Sequence, residues 1–457
     1  MNFVINYKNS IHLTMAIANL RVLKAFIQTI DIVSGDRDIH YDLLKNKSAF
    51  TRSGKLGFNT VTYLILSMLT KSLQVELYNY FTTLDVLSGL RFTKGAFSQR
   101  RHQIDSKWFR FLISHFAALF YDLSESVSLW KGYKLLAIDG SSAILLNNEE
   151  LNNQYKGGQN KYGTYPLCRY MKMYDVLNEI TLKVEMMPMK GSERKCAYQW
   201  VDAIPDGSIT IFDRGFPSFT LFYLMLSCER PKDFIIRCKQ KFSSSIKDFV
   251  TSVETSSKIK FYPDDRAIST LRQYHYKVTR QTFVELRVEK IVLENNEVEV
   301  LITSIDDELL LSNSEMKELY HKRWAIETNI GKEKNVLQLE NFSSHLKNGI
   351  EQDFYATFIT GNIHSLLCKE AQQRIDQKVS KRKYRYKINA SASMNTFKKN
   401  LIRLFYTRDL YQLIVQIQSV FELFIEPVRP NRKVQRMRVS KRRYGKHQTH
   451  KNYRNNF

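Results

Sequence analysis

Two stretches decide the fold: Lys134–Leu135–Leu136–Ala137–Ile138–Asp139–Gly140 and Ser208–Ile209–Thr210–Ile211–Phe212–Asp213–Arg214–Gly215. Each is a short apolar run that stops at an aspartate with a glycine close behind. Runs of this length read as buried strands, and Asp and Gly punctuate them. Helical patterns follow at 192–204 and 219–228, and two more strand candidates occupy 171–176 and 180–187. Strands alternating with helices predict an α/β core. An acid just past a buried strand stands at the rim of a sheet, where α/β proteins build their sites. Asp is also an ordinary turn former, so neither aspartate decides anything alone.

Further along, residues 241–305 change character. Segments 274–278, 284–293 and 298–305 are rich in Val, Ile, Tyr and Phe and predict a β-rich block. Helical patterning returns from 312 to about 375. Ser312 with Glu315 forms a capping box that opens a helix. Along it Tyr320, Arg323, Glu327 and Lys334 fall within a stripe roughly 60° wide, at about 100° per residue. Leu319, Ile326, Ile330 and Leu337 form the adjoining apolar stripe. A carboxylate at that edge would be partly desolvated yet reachable, with cations one or two turns away. The i,i+4 pair Arg323–Glu327 equally suits an ion-paired surface helix.

Residues 1–128 read mostly helical, with an apolar helical pattern over 59–84. Thr93 is placed to cap a helix over 94–120. Ser98, Gln99, Arg100, Arg101 and Gln103 would give that helix a polar, basic face, which fits either a helix-turn-helix on DNA or a solvated surface. At the other end, 376–428 carries a Lys/Arg cluster at 378–387 and then a helical stretch. Residues 429–457 hold eleven Lys/Arg and no Asp or Glu, supplying +11 of the chain's net +24. With so few aliphatic side chains that tail reads as disordered when free. It is expected to add nonspecific attraction to DNA, so its loss would flatten the salt dependence of binding. A solvated terminus with no role is the alternative.

Charge and cysteine usage narrow the class. Lys and Arg number 69 against 45 Asp and Glu, which points to a polyanionic partner. The five cysteines form no CxxC pair, so neither a zinc site nor a disulfide framework is expected and a reducing cytoplasm fits. The apolar run 61–69 is too short to span a bilayer, and 410–428 is interrupted by Gln412, Gln416, Gln418 and Glu422, so no membrane segment is expected. With no His/Cys site to compete, three carboxylates suit a hard cation such as Mg²⁺. Two such ions can activate the attacking oxygen and stabilise the leaving one in phosphoryl transfer.

The spacing Tyr320–x₂–Arg323–x₃–Glu327–x₆–Lys334 resembles the YREK signature of the bacterial insertion sequence 4 family of DDE transposases. Ile138–Asp139–Gly140–Ser141 and Phe212–Asp213–Arg214–Gly215–Phe216 are similar to that family's two aspartate motifs. Leu301–Ile302–Thr303–Ser304, Arg323–Trp324–Ala325–Ile326–Glu327 and the run Phe92 to Arg100 also look like it. The resemblance covers roughly residues 50–400. It implies a ribonuclease H-like catalytic core (129–240 and 306–375) interrupted by a β-rich insertion (241–305), between helical N-terminal and C-terminal regions. It implies Asp139, Asp213 and Glu327 as catalytic metal ligands for two Mg²⁺ or Mn²⁺ ions. Tyr320, Arg323 and Lys334, with Arg214, would hold DNA at the site, beside Arg100 and Arg101 of the N-terminal region. The implied activity is cut-and-paste transposition in a bacterial cytoplasm, at the nucleoid. The implied partners are terminal inverted repeats, target DNA and a second copy of the chain in a synaptic complex. Some members stack a flipped base on a Trp in the insertion. Here the four Trp lie at 108, 130, 200 and 324, none in the insertion, so another aromatic such as Phe261 or Tyr262 would have to take that place. A DNA-binding descendant without catalysis, and a metal nuclease without strand transfer, are the competing readings.

Overall fold

The computed structural model describes residues 4–51, 54–67, 71–160, 163–292 and 297–429. The basic tail from residue 430 onward lies outside them. Among the described residues a nine-stranded sheet forms the centre, built from β1 (Lys134–Ile144), β2 (Lys156–Asn160), β3 (Gly163–Asp175), β4 (Ile180–Pro188), β5 (Ser208–Phe212), β6 (Asp233–Cys238), β7 (Ser256–Phe261), β8 (Val284–Val292) and β9 (Val298–Thr303). Its spatial order through the middle is β4-β3-β1-β5-β6. β1, β3 and β4 are antiparallel neighbours, while β5 and β6 run parallel to β1. An antiparallel meander followed by two parallel strands on the first strand's far side is the ribonuclease H-like arrangement. The parallel strands are buried along their length, as a sheet covered on both faces requires.

The β-rich block does not stand apart from this sheet. β9 pairs antiparallel with β6, with Ile236 opposite Ile302, and β8 and β7 follow outward. Two helices, Ser244–Thr251 and Asp265–Gln273, belong to the same block. Segment 274–278 is not a strand. Tyr274 closes the preceding helix, and Tyr276 packs edge-on against Tyr223 and bonds the Ser227 carbonyl at 3.1 Å. The alternating side chains thus cover the helix Phe219–Ser227 instead of entering a ladder, and a period of two without a pairing partner imitates a strand.

Helices pack on one flank around Lys347–Lys378, which is buried over most of its length. Asn362 on this helix exchanges both amide bonds with the backbone of Thr181 at 2.7 and 2.8 Å. It therefore satisfies edge strand β4 where a further strand would otherwise pair. Thr93 does cap its helix, accepting from the Ala96 amide. That helix ends at Gln103, and a second one, Lys107–Leu123, begins after Ser106, so the expected single helix is two. The described helices include none long and apolar enough to cross a membrane.

Candidate active site at the ends of the parallel strands

The register explains why two distant aspartates meet. Ile138 of β1 lies opposite Phe212 of β5 in a parallel pair, so Asp139 and Asp213 are the next residues on neighbouring strands. β5 ends there, whereas β1 continues to Ile144 against β3, with Asp139 opposite Lys172. The Asp-Gly step therefore marks the end of the parallel pairing and not, as the sequence pattern predicts, the end of the strand. A Cβ at Gly140 would lie 2.6 Å from Glu193 Oε1, the end of a flexible side chain that would have to shift. Each aspartate is fixed by a backbone amide. Gly140 N–H donates to Asp139 Oδ1 at 2.8 Å, and Gly215 N–H donates to Asp213 Oδ1 at 2.7 Å.

Glu327 arrives on a separate element. The expected single helix is broken at Lys322–Arg323 into Asn313–His321, which carries the capping box, and Trp324–Asn335. Lys322 and Arg323 keep right-handed helical backbone angles, and the junction is bonded from residue i to i+3, so the i,i+4 contact of Arg323 with Glu327 expected from the stripe survives it. Glu327 lies in the first turn of the second helix, where the helix dipole favours a carboxylate. Arg323, at the corner, reaches both acids, with Nη1 3.4 Å from Asp139 Oδ2 and Nη2 2.7 Å from Glu327 Oε1. Its side chain is 8% exposed, against 18% for Asp139 and 40% for Glu327.

Burial is the largest influence on Asp139 and pushes its carboxyl up to about 6. The Gly140 amide and Arg323 oppose that rise, while the charges of Asp213 and Glu327 add to it. For Arg323, burial works against the charge, and the bond to Glu327 with the neighbouring anions raises its pKa regardless. Tyr320 is buried beside it, its phenol pushed up to about 12 chiefly by burial. Tyr320 Oη and Arg323 Nε are both buried without a hydrogen-bond partner among the described residues. Such groups cost about 1–3 kcal/mol each.

The remaining expected residues are distributed unevenly. Lys334 lies farther along the second helix, 3.9 Å from Glu340, which accepts from the Ile144 amide at the end of β1. Arg214 is exposed in the loop after Asp213. Arg100 is half-buried, bonding Gln103 and covering the Phe50 ring. Arg101 does not face solvent at all. It donates to Gln352, Ser343, the Gly349 carbonyl and Asp353 at 2.8–3.0 Å and is 2% exposed. Its guanidinium joins the helix Lys94–Gln103 to the helix Lys347–Lys378, so the expectation of a DNA contact there is replaced by a structural role. Of Phe261 and Tyr262, the first is buried against Phe222 and the second faces solvent.

Residues 130–363 match the family described as the transposase DDE domain. The chain belongs to that family. Relatives of this DDE-domain protein include InsZ of Escherichia coli strain K12, named as a transposase, 33% identical over 93 residues that cover 20% of this chain and 31% of that one. Another is the transposase InsG for insertion sequence element IS4 of the same strain, 21% identical over 274 residues, 59% of each chain. The chain therefore spans less than two thirds of the length of these curated relatives. Among solved structures it is similar to a piggyBac transposase synaptic complex with hairpin DNA, with a TM-score of 0.43 and 12% identity, over 88% of this chain and 85% of that one.

The DDE-domain site has further residues that its sequence motifs do not flag. Lys172 is fully buried on β3 and contacts Glu333 and Asn329, both on the helix that carries Glu327. A charged residue alone between Tyr170–Met171 and Met173–Tyr174 is the signal that marks it. Arg169 pairs with Glu193 at 3.3 Å beside Gly140. Asp139, Asp213 and Glu327 offer carboxylate oxygens, which suit a hard divalent cation. As they stand, no three Asp, Glu, His or Cys side chains among the described residues are grouped to hold one. The cation that Asp139 and Glu327 share is the Arg323 guanidinium.

Proposed function

We propose that the protein is a DNA transposase that cleaves the ends of a mobile element and joins the freed 3′-OH to target DNA. Asp139, Asp213 and Glu327 would hold one or two Mg²⁺ or Mn²⁺ ions. What carries this reading is the pairing of β1 with β5, which sets Asp139 beside Asp213, together with the guanidinium that ties Asp139 to Glu327. The adjacency of Asp139 and Asp213 and the Arg323 that Glu327 shares with Asp139 support a common site among basic groups. Bound there, a divalent cation supplies a polarised oxygen nucleophile and neutralises charge on the leaving oxygen.

The chain's own residues supply the rest. Backbone amides of Gly140 and Gly215 hold the two aspartates in place. Arg323, whose fork matches a phosphate, and Lys334 would position the DNA backbone, with Arg214 exposed at the lip. Attack by an oxygen on phosphorus forms one P–O bond as the opposite P–O bond breaks, so no reductant or covalent protein intermediate is needed. Terminal inverted repeats, target DNA and a second protomer in a synaptic complex complete the reading, in a bacterial cytoplasm at the nucleoid.

The test is cleavage and joining of a labelled element-end duplex with Mg²⁺ and a target plasmid. Asp139→Asn, Asp213→Asn and Glu327→Gln should each abolish both reactions and leave end binding largely intact. Cleavage retained in any of the three would remove the assignment. Cleavage without joining by the wild type would leave a metal nuclease, and tight binding without cleavage would leave an inactive DNA-binding descendant.

A further inference from the structure

Arg323 lies between two of the three acids proposed to hold the metal ion, and this gives the site a second property. One guanidinium lies between Asp139 and Glu327, nearly sealed from solvent, while both carboxylates turn toward it. No three acids among the described residues are grouped to hold an ion in this arrangement. A guanidinium held on one oxygen of each carboxylate disfavours a dication on the same two groups, because like charges at such range repel in a partly buried site.

The arrangement is also incomplete for Arg323. Its Nε is buried with no partner among the described residues, and the Tyr320 hydroxyl beside it is in the same condition. The guanidinium rests against the rings of Tyr320 and Trp324, with centroids at 5.9 and 5.5 Å. It springs from the corner between two helices, so its side chain can turn without unwinding either one. A phosphodiester offers what the present site lacks, an acceptor for Nε, with a second oxygen for the same face of the planar fork.

We propose that Arg323 is an internal plug that keeps the metal site closed in the free protein, and that a DNA phosphate opens the site by drawing the guanidinium away. The inference rests on the transposase reading given above and adds regulation to that site. Because the coupling is a property of one equilibrium, it is reciprocal: DNA promotes metal binding, and metal promotes DNA binding. A protein built this way carries no assembled nuclease centre until a nucleic acid backbone is present.

The test reads Mn²⁺ binding to the full chain from the electron paramagnetic resonance signal of the free ion, without any assay of cleavage. Arg323→Gln should bind Mn²⁺ about tenfold more tightly than wild type in the absence of DNA, a coupling of ordinary size. Adding Asp139→Asn to that variant should cancel the gain. A short duplex of arbitrary sequence at low salt, corrected for Mn²⁺ bound by duplex alone, should tighten binding to wild type by a similar factor and leave Arg323→Gln unchanged. Equal affinities for free wild type and Arg323→Gln would overturn the plug. If Arg323→Gln fails to fold, the wild-type comparison with and without duplex decides, and no change there would overturn it. If no Mn²⁺ binding depends on Asp139 in any of these proteins, with duplex or without, the metal site itself is refuted and the plug with it. Duplex-independent binding that does depend on Asp139 refutes the plug alone.

Discussion

Replacing Lys172 by Met should loosen the helix that carries Glu327. Lys172 is fully buried on β3, opposite Asp139, and its ammonium contacts Glu333, which is 2% exposed. Glu333 Oε2 already meets no partner among the described residues. Methionine matches the lysine stem in volume, so little cavity is created, and the loss is that of the charge partner. Removing one member of a buried pair costs about 3–5 kcal/mol, because the other is left uncompensated. The penalty should appear where the pair acts, as faster amide exchange in Trp324–Asn335 and β3, by about two to four powers of ten.

The pH dependence fixes the cause. Burial raises the Glu333 carboxyl, and Lys172 is the main group that holds it down. Without Lys172 the folded value rises further above the unfolded one. A carboxyl raised on folding weighs against the fold only above its unfolded pKa, so the deficit should be absent in acid, grow as pH rises past about 4.5, and level off above the folded value. The double variant Lys172→Met/Glu333→Leu should return to within about 1 kcal/mol of wild type or exceed it. Unchanged exchange in the single variant, or a double variant as loose as the single, would refute the reasoning.

Other expectations are as specific. Arg101→Met should destabilise the helix Lys94–Gln103 by about 3–5 kcal/mol while leaving the salt slope of DNA binding by the folded protein unchanged; a slope lowered by about one would reinstate a phosphate contact. Thr93→Ala should cost about 1 kcal/mol in local opening of the same helix, since it removes the acceptor for the Ala96 amide; no change in exchange there would discount the cap. Asp139, raised from 3.8 to about 6, weighs against folding increasingly as pH climbs between those values. Metal-free Asp139→Asn should therefore exceed wild type in stability by up to about 3 kcal/mol at neutral pH and match it near pH 3, and a difference independent of pH would contradict this.

The parts of this fold that could be read from the sequence were those whose pattern is local. Buried parallel strands leave unbroken apolar runs, so β1 and β5 and the acids behind them stood out, as did the capping box at Ser312. The YREK spacing gave the set Tyr320, Arg323, Glu327 and Lys334, yet helical periodicity placed them on one straight rod. The junction at Lys322–Arg323 carries no Pro or Gly to announce it, and Arg323 there meets Asp139 of a distant strand. Segment 274–278 misled because a period of two reports one-sided burial and not hydrogen bonding. Arg101 misled for the opposite reason, since four partners more than two hundred residues away turn a basic side chain inward. Lys172 and Glu333 join through tertiary packing, and only the isolation of a charge in an apolar strand hinted at the first.

The pairing of β6 with β9 has a consequence for how such a chain can change over generations. Between these two strands the polypeptide runs out to β7 at the sheet's edge and back through β8, and its return to the centre is pinned by the ladder from Ile235–Thr303 to Cys238–Val300. Whatever length is spent on the excursion, Thr303 comes back to the same place, and the capped helix that begins at Asn313 starts from there. The third acid is therefore insulated from growth or trimming of the excursion. A lineage can graft, shorten or rebuild that segment to meet a different nucleic acid end while the three carboxylates keep their spacing.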